Sequence, residues 1–297
     1  MRKLLPLTND YVFKRNFGYK GEEDITRVLL RDILRSEVEN VELNNNPITQ
    51  KDIYDEKLGI MDVKATINKD TICDIEMQVV KQSDIVKRIL FYWSKMYSEE
   101  LKEGDPYMLA KKTVCILIAD FKLEELESIK KYITKWNLRE EDYTKMILTD
   151  VVEIYIIELP KIEKHKENVK YKNLNLWVEF IKNPEVGSML NENKDDEDLK
   201  DTVEAIEKAR ENLEVITEDE HERELARLRD KYIRDEKSIR ISGFQEGRKE
   251  GMKEGAKKNK QEIAKRMLAE KIDIDIIKRV TELTDEEINK LKAEVNN

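Results

Sequence analysis

The sequence is poor in the residues that build disulfide frameworks, zinc sites and histidine-based triads. It contains only two cysteines and two histidines among 297 residues. Cys73 and Cys115 lie in apolar runs, where cysteine behaves as a small buried hydrophobic residue in a reducing compartment. His165 and His221 stand among charged residues, so mechanisms that need a histidine base in a shaped pocket are disfavoured.

Proline, glycine and long apolar runs are also scarce. Five prolines and nine glycines, with 40% charged and 39% hydrophobic residues, predict a helix-rich protein of about two domains. The N-terminus lacks the apolar stretch of roughly 7–15 residues that marks a secretory signal. No run approaches the ~18 apolar residues of a membrane span, so we expect a cytoplasmic protein without a membrane segment.

Acidic residues are abundant, but their distribution is uneven. A net charge of −9 argues against nucleic-acid binding, because affinity for the phosphate backbone depends on Lys and Arg. Residues 191–224, however, carry 15 Asp and Glu against 5 Lys and Arg, which leaves the rest of the chain close to neutral. With no GxxxxGK[ST] phosphate loop, the composition favours chemistry that runs on carboxylates and a hard metal ion.

Hydrophobic periodicity divides the first part of the chain into helices and strands. Helices are predicted at residues 9–17, 22–36 and 84–103, and around Leu176, Trp177 and Phe180. Strands are predicted at residues 58–67, 71–80, 113–119 and 151–159. This order indicates an α/β core on a mixed sheet over residues 1–185.

The remainder is predicted to be helical. Acidic residues with a helical rhythm fill residues 186–240, and a Gly-repeat arm with a small helical segment follows over residues 241–297. Two capping boxes are expected to begin helices there: Thr217 with Glu220, and Thr284 with Glu287.

A β-hairpin between residues 62 and 78 carries the main chemical signal. Alternation places two sets of polar side chains on one face: Asp62, Lys64 and Thr66 on the first strand, and Asp74, Glu76 and Gln78 on the second. A three-residue turn centred on Lys69 pairs Asp62 with Glu76, Lys64 with Asp74, and Ile60 with Gln78. A register shifted by one would set polar faces against apolar ones.

In this register Asp62 and Glu76 stand opposite each other, with Cβ atoms roughly 4.5–5.5 Å apart. Two carboxylates at that distance repel unless a cation neutralises them, and Mg²⁺ binds one or two carboxylates while keeping several waters. The alternative is a solvent-exposed polar face on which Lys64 and Asp74 form an ordinary surface salt bridge.

The residues D-V-K-A at 62–65 and I-E-M-Q at 75–78 resemble the motif of the PD-(D/E)XK nuclease superfamily, most closely its transposase-like, recombination-promoting branch. The likeness covers most of the chain. It extends to T-N-D-Y-V-F-K (8–14), L-G-I-M-D-V-K-A (58–65), Y-W-S-K-M-Y (92–97), I-E-L-P (157–160), E-G-x-x-E-G (246–251) and the helical tail. It implies a restriction-endonuclease-like core with a mixed sheet flanked by helices, followed by an all-helical C-terminal extension.

The resemblance also implies roles for individual residues. Asp62 and Glu76 would bind Mg²⁺, or Mn²⁺ in its place, together with the backbone carbonyl of Met77. Gln78 holds the position where most of the superfamily has lysine; its amide carries no charge but can orient an attacking water. Glu22 or Glu23, early in the first long helix, is a further acidic candidate.

These roles describe a Mg²⁺-dependent endonuclease that hydrolyses DNA phosphodiester bonds with a metal-activated water. Four residues are expected to contact DNA: Lys64, Lys87, Arg88 and Tyr92. For the residues of the helix after the hairpin, the alternative is a solvated helix face. For the whole protein, one alternative is a DNA-binding or assembly protein with weak or no catalysis. Another is an RNase-H-like transposase with three carboxylates, for which Asp120 is the third acid.

The C-terminal region leaves several interpretations open. Gly243, Gly247, Gly251 and Gly255 are spaced four residues apart, so on a helix they form a stripe of small residues. A helical arm that pairs with its copy in a homodimer is favoured slightly over a flexible hinge. For residues 263–291 a dimerising or packing bundle is favoured over a DNA-reading helix-turn-helix, because its second helix also carries acidic residues.

Overall fold

The computed structural model describes residues 2–44, 62–82, 84–164, 169–185 and 187–295. These form two compact units, residues 1–233 and 234–297. The strands are β1 (Val41–Leu43), β2 (Val63–Ile67), β3 (Thr71–Gln78), β4 (Lys112–Ala119), β5 (Ile133–Trp136) and β6 (Val152–Glu158). The helices are α1 (Asp10–Phe17), α2 (Glu23–Leu34), α3 (Ile85–Glu99), α4 (Lys172–Lys182), α5 (Gly187–Asn193), α6 (Lys200–Glu218), α7 (Glu220–Ala269), α8 (Ile274–Thr281) and α9 (Asp285–Val295).

The strands form one mixed six-stranded sheet in the order β1-β2-β3-β4-β6-β5. Strands β3, β4 and β6 run parallel, whereas β1, β2 and β5 pair antiparallel with their neighbours. The predicted mixed sheet flanked by helices is confirmed. The short strands β1 and β5 were not predicted, since three or four residues show too little alternation to be recognised. Residues 58–61 of the first predicted strand, and with them the pairing of Ile60, lie outside the described residues.

Each face of the sheet is covered by helices. On one face, side chains of α1, α2, α4 and α6 pack into a core around the fully buried Phe13, Phe17 and Trp177. On the other face, Ile85 and Ile89 of α3 pack against β4 and β6. Because β3 is a central strand and helices cover both faces of the sheet, both faces of β3 are largely buried.

The boundary between α6 and α7 differs from the predicted capping box. Thr217 lies within α6, and its hydroxyl accepts a hydrogen bond from the Leu5 amide at 3.1 Å. Asp219 begins α7 instead, because its carboxylate accepts the Glu222 amide at 3.0 Å. The chain leaves the helical conformation at Asp219 (ψ 120°), so the N-cap position falls there.

The second unit contains a small core of its own. Ala264 of α7, Ile277 of α8, and Ile288 and Leu291 of α9 are its buried residues, together with Leu283 of the connecting turn. The predicted capping box of the last helix is confirmed: the Glu287 amide donates to the Thr284 hydroxyl at 3.3 Å, and the Thr284 amide donates to the Glu287 carboxylate at 3.0 Å. The sequence boundaries at residues 185 and 240 remain predictions.

None of the helices formed by the described residues has the length and apolar character needed to cross a bilayer.

Candidate active site

The β2–β3 hairpin has the register that the turn predicted. Val63 pairs with Ile75 and Lys64 with Asp74, so one residue further along, Asp62 stands beside Glu76. Asn68 and Lys69 adopt positive φ angles of 50° and 69°, the left-handed conformation that a tight hairpin turn requires. The Asn68 side chain stabilises this turn by accepting the Glu39 and Asn40 amides at 2.9 and 3.1 Å.

The polar face of this hairpin is buried rather than exposed. Asp62 and Asp74 are each 4% exposed and Glu76 is 6% exposed. The interpretation of Asp74 as half of a surface salt bridge is therefore wrong, although Lys64 itself is exposed. The cause is tertiary: β4 pairs along β3, and helix α3 covers the face on which these carboxylates lie.

Burial dominates the electrostatics of the three carboxylates. It raises the pKa of Asp62 to about 6, even though Lys64, Arg88 and Lys14 favour the charged form. Burial and the neighbouring charge of Asp62 raise the pKa of Glu76 to about 8. Burial likewise raises the pKa of Asp74, which is increased further by Asp62 and Glu76. Buried carboxylates with raised pKa values ionise when a cation binds beside them, because the opposite charge favours the ionised form.

Arg88 of α3 lies directly against this cluster. Its Nη2 is 2.9 Å from Glu76 Oε1. Its Nη1 donates to the side-chain oxygen Oε1 of Gln82 and its Nε to the Tyr92 hydroxyl, each at 2.9 Å. Tyr92 is 6% exposed, and the guanidinium also lies over its ring. Both side chains, considered as DNA contacts in the sequence, thus face the carboxylates.

The remaining predicted site residues occupy distinct positions. Gln78 ends β3, and its amide nitrogen donates to the Val80 carbonyl at 3.2 Å. Met77 pairs with Ile118, and its side chain lies in the core on the opposite face. Lys87 is exposed on α3. The side chains of Glu22 and Glu23 are engaged elsewhere, with Asn212 and with the Gly21 amide.

Three residues of this region were missed as site members: Asp74, Asp10 and Lys14. Lys14 and Asp10, 5% and 7% exposed, lie one helical turn apart on α1. Lys14 lowers the pKa of Asp62 and Asp74, and Asp10 raises that of Asp62 and Glu76, so both lie close to the cluster. The T-N-D-Y-V-F-K motif contained both residues, and it was the available signal.

Asp10 is itself held by an arginine of α7. Arg229 Nη2 lies 2.7 Å from Asp10 Oδ2, and Arg229 Nε lies 3.0 Å from Asp10 Oδ1. Both side chains are buried, and such a bidentate pair fixes the orientation of the carboxylate. Helix α1 is therefore fixed next to the hairpin by a contact more than two hundred residues away in the sequence.

The I-E-L-P motif at 157–160 serves the fold. Glu158 is fully buried; its carboxylate accepts the Leu123 amide at 2.9 Å and pairs with Lys161. Lys161 in turn donates to the carbonyls of Leu126 and Ile129, each at 2.9 Å. This network stabilises the turn that follows β4.

The donor atoms of the hairpin fit a hard divalent cation. Asp62 Oδ2 and Asp74 Oδ1 are buried oxygens for which no hydrogen-bond donor is found among the described residues. Such oxygens are costly unless a proton or a cation completes them. Within the same residues, no three carboxylate, imidazole or thiol groups converge as metal ligands. A cation would therefore draw on two side chains, main-chain oxygen and water, as Mg²⁺ commonly does.

Asp120, the third acid of the RNase-H-like alternative, ends β4. Its amide donates to the Gln78 carbonyl at 2.9 Å, but its side chain is exposed. Burial raises its pKa and Lys182 lowers it. Asp62, Asp74 and Glu76 are not among the charges that shift it, in contrast to their mutual coupling.

Comparison with known families agrees with the geometry. Residues 7–242 match the family model of the PD-(D/E)XK nuclease family transposases. Residues 257–293 match the C-terminal HTH domain of the Rpn/YhgA-like nuclease family. The preference for a packing bundle at the C-terminus is therefore corrected in favour of a helix-turn-helix, whose α8 and α9 are joined by the short turn at Leu283.

No match is found among curated proteins or among solved structures. The match to the nuclease family spans well over half of the chain and includes the whole hairpin. The chain belongs to the PD-(D/E)XK nuclease family transposases and carries the C-terminal HTH domain of the Rpn/YhgA-like nucleases.

Proposed function

We propose that this protein is a Mg²⁺-dependent DNA endonuclease of the recombination-promoting type, with Asp62 and Glu76 as its metal-binding side chains. The observation that carries the proposal is the buried pair itself. Two carboxylates that are 4% and 6% exposed lie side by side on adjacent strands, and Asp62 Oδ2 has no donor among the described residues. A purely structural pair of this kind would be unfavourable, because like charges repel strongly away from water.

A divalent ion bound here would lower the pKa of an attacking water and offset charge on the phosphate. The protein's own groups have separate roles. Asp62, Glu76 and the Met77 carbonyl would hold the ion, Arg88 fixes the Glu76 carboxylate, and the Gln78 amide would orient the water. In the hydrolysis, a water oxygen bonds to phosphorus, one phosphorus–oxygen bond to a sugar breaks, and the leaving oxygen gains a proton.

DNA would approach from the exposed side of the hairpin and of α3. Lys64 and Lys87 are exposed there and are assigned to phosphate contacts. Arg88 and Tyr92 are assigned to the carboxylates instead, because their polar groups are already bound to one another and to Glu76. Mn²⁺, which also binds oxygen ligands, is expected to replace Mg²⁺.

The test is cleavage of supercoiled plasmid with and without Mg²⁺. Asp62→Asn and Glu76→Gln preserve shape and remove the charge, so each should lower cleavage by at least about 100-fold. Asp70→Asn, in the exposed turn of the same hairpin, is the matched control and should cut like the wild type. Unchanged Mg²⁺-dependent cleavage by both site variants would exclude the proposal.

A second candidate is a DNA-binding or assembly protein on the same fold. It is favoured by Gln78, whose amide nitrogen donates to the Val80 carbonyl rather than to a group of the cluster. This candidate predicts DNA binding that weakens with salt and no nicking with Mg²⁺ or Mn²⁺. The plasmid assay, run beside a binding titration on the same preparation, separates the two candidates.

We further propose a cytoplasmic homodimer that forms through the C-terminal helical region. Gly243, Gly247, Gly251 and Gly255 all lie within α7 and are exposed, and no neighbouring atom of the described residues lies within 4 Å of a Cβ added at any of them. Exposed Phe244 and Met252 lie on the same stretch of helix. Small residues beside large apolar ones allow two helices to approach closely, and paired active sites would suit double-strand cleavage.

A further inference from the structure

The proposed reaction places negative charge on a phosphate beside carboxylates, and this charge needs a cation from the protein as well as from the metal. Gln78, at the end of β3, carries no charge. Arg88 does, but its Nη2, Nη1 and Nε already bind Glu76, Gln82 and Tyr92.

Lys14 lies near enough to the cluster for its charge to lower the pKa of Asp62 and Asp74. It is on α1 and only 5% exposed, which is rare for a lysine unless acidic groups surround its ammonium. Its stem passes Gly18: a Cβ at that glycine would be 3.2 Å from Lys14 Cγ and 3.2 Å from Val63 Cγ2. Val63 directly precedes Lys64 and follows Asp62, so the lysine stem runs alongside the start of β2.

We propose that Lys14 supplies, from helix α1, the positive charge that position 78 lacks, and so offsets charge on a phosphate bound beside Asp62. The inference rests on the proposed nuclease function. The substrate group is the scissile phosphate of DNA, and the Lys14 ammonium is the group of α1 that offsets the charge of this phosphate.

The position of Lys14 is fixed by the same contacts that fix α1. Asp10, one turn earlier, is held by the buried Arg229 through Nη2 at 2.7 Å and Nε at 3.0 Å. Asn9, at the start of the helix, donates to Asp230 at 2.8 Å. A cation that is both buried and fixed acts more strongly on nearby charge than an exposed one, which water screens.

Lys64 is the competing cation. It lies on the same hairpin face as Asp62 and also lowers the pKa of that residue. It is exposed, however, so its charge is partly screened and it lies on the surface that DNA would approach from solvent. The two lysines therefore predict different responses to substitution.

A charge-transfer experiment distinguishes these roles. Lys14→Met keeps the apolar stem and removes the charge, and it should lower plasmid cleavage at least about 100-fold. Adding Gln78→Lys to Lys14→Met should restore cleavage to within about 10-fold of the wild type, because the charge returns at position 78. Lys20→Met, at an exposed position after α1, is the matched control. Full cleavage by Lys14→Met overturns the inference, and so does a failure of Gln78→Lys to restore cleavage in the Lys14→Met variant. The inference is also overturned if Gln78→Lys restores cleavage to Lys64→Met but not to Lys14→Met.

Two further readouts keep the test decisive. Gln78→Lys alone should change the wild-type rate less than about threefold, since a cation is already present; a gain of tenfold or more overturns the inference. Mn²⁺ titrated alone by calorimetry should bind Lys14→Met at least about threefold more tightly, because a competing positive charge is gone. If the wild type cuts no DNA, the proposed function fails, but the Mn²⁺ titration still tests whether Lys14 lies beside the carboxylates. Equal Mn²⁺ affinity in Lys14→Met and Lys20→Met would overturn that placement.

Discussion

At the scale of single residues, the buried Glu76 depends on Arg88 for charge compensation. Because a buried carboxylate without its partner costs about 1–3 kcal/mol, Arg88→Gln should destabilise the metal-free protein. The loss should be larger at pH 9 than at pH 6, since Glu76, whose pKa is about 8, is ionised only at the higher pH. Urea unfolding at both pH values measures this. Lys87→Gln, one residue away and exposed, is the control; an equal loss at both pH values would contradict the prediction.

The raised pKa values of Asp62 and Glu76, about 6 and about 8, set the pH dependence of stability. Because the folded state holds these protons more tightly than the unfolded chain, their stabilising contribution is complete below about pH 4. It is lost as pH rises through about 6 and then 8.

We therefore expect the melting temperature of the EDTA-treated protein to fall by roughly 5–10 °C between pH 5 and pH 9. Mg²⁺ should restore stability at pH 9 and have little effect at pH 5, because protons and the ion compete for the same oxygens. The double variant Asp62→Asn/Glu76→Gln should lose both effects. A Mg²⁺ response of equal size at the two pH values would argue against ion binding by these carboxylates.

At the scale of elements, the contact between α1 and β2 depends on Gly18. A Cβ there would lie 2.8 Å from the Lys14 carbonyl and 3.2 Å from Val63 Cγ2. Gly18→Ala should therefore displace the end of α1 and destabilise the protein by about 1–3 kcal/mol, the usual effect of overpacking. Chemical denaturation measures the loss. An unchanged midpoint would show that the helix and strand separate easily.

In helix α7, by contrast with Gly18, a glycine has room for an added Cβ. In the part of the chain that the structure describes, no neighbouring atom lies within 4 Å of a Cβ added at Gly247, so Gly247→Ala should increase helix stability by up to about 1 kcal/mol. If the glycine stripe is the proposed dimer contact, the same change should weaken association in sedimentation experiments. Asn259→Ala, exposed on the same helix, is the control. Greater helicity with unchanged dimerisation would separate the stripe from the interface.

At the scale of the whole molecule, DNA binding has to overcome a net charge of −9. Binding should be local and strongly salt-dependent, and each phosphate contact contributes a slope of about −0.9 in log affinity against log salt. Lys87→Gln should reduce the slope by about one, measured by fluorescence anisotropy between about 50 and about 200 mM salt. Lys20→Gln is the control, and identical slopes for both variants would exclude Lys87 from the interface.

The C-terminal HTH domain has an unusual charge for a DNA reader. The first turn of α9 carries Asp285, Glu286 and Glu287. In helix-turn-helix motifs, the N-terminal residues of the second helix commonly contact the bases. Lys278 of α8 already pairs with Asp285 at 2.6 Å. These acids repel a phosphate backbone, so most of the salt dependence is expected from the nuclease domain.

Features that depend only on neighbouring residues could be predicted from the sequence alone. Alternation and the turn at Lys69 specified the hairpin register, and Thr284 with Glu287 specified the start of α9. These features were predictable because side-chain period, turn geometry and capping act within a few residues. The motif at Asp62 and Glu76 also identified the family, since it stands on the correct pair of strands.

Tertiary structure decided which of those charges are buried and what compensates them. Asp74 resembled a surface residue in the sequence, but β4 and α3 bury it. Arg88 resembled a DNA contact, but it binds Glu76. The approach of Lys14 to the hairpin depends on packing across distant segments, because no local rule relates residue 14 to residue 62. Burial and charge pairing are properties of the packed sheet, and only the folded chain brings those groups together.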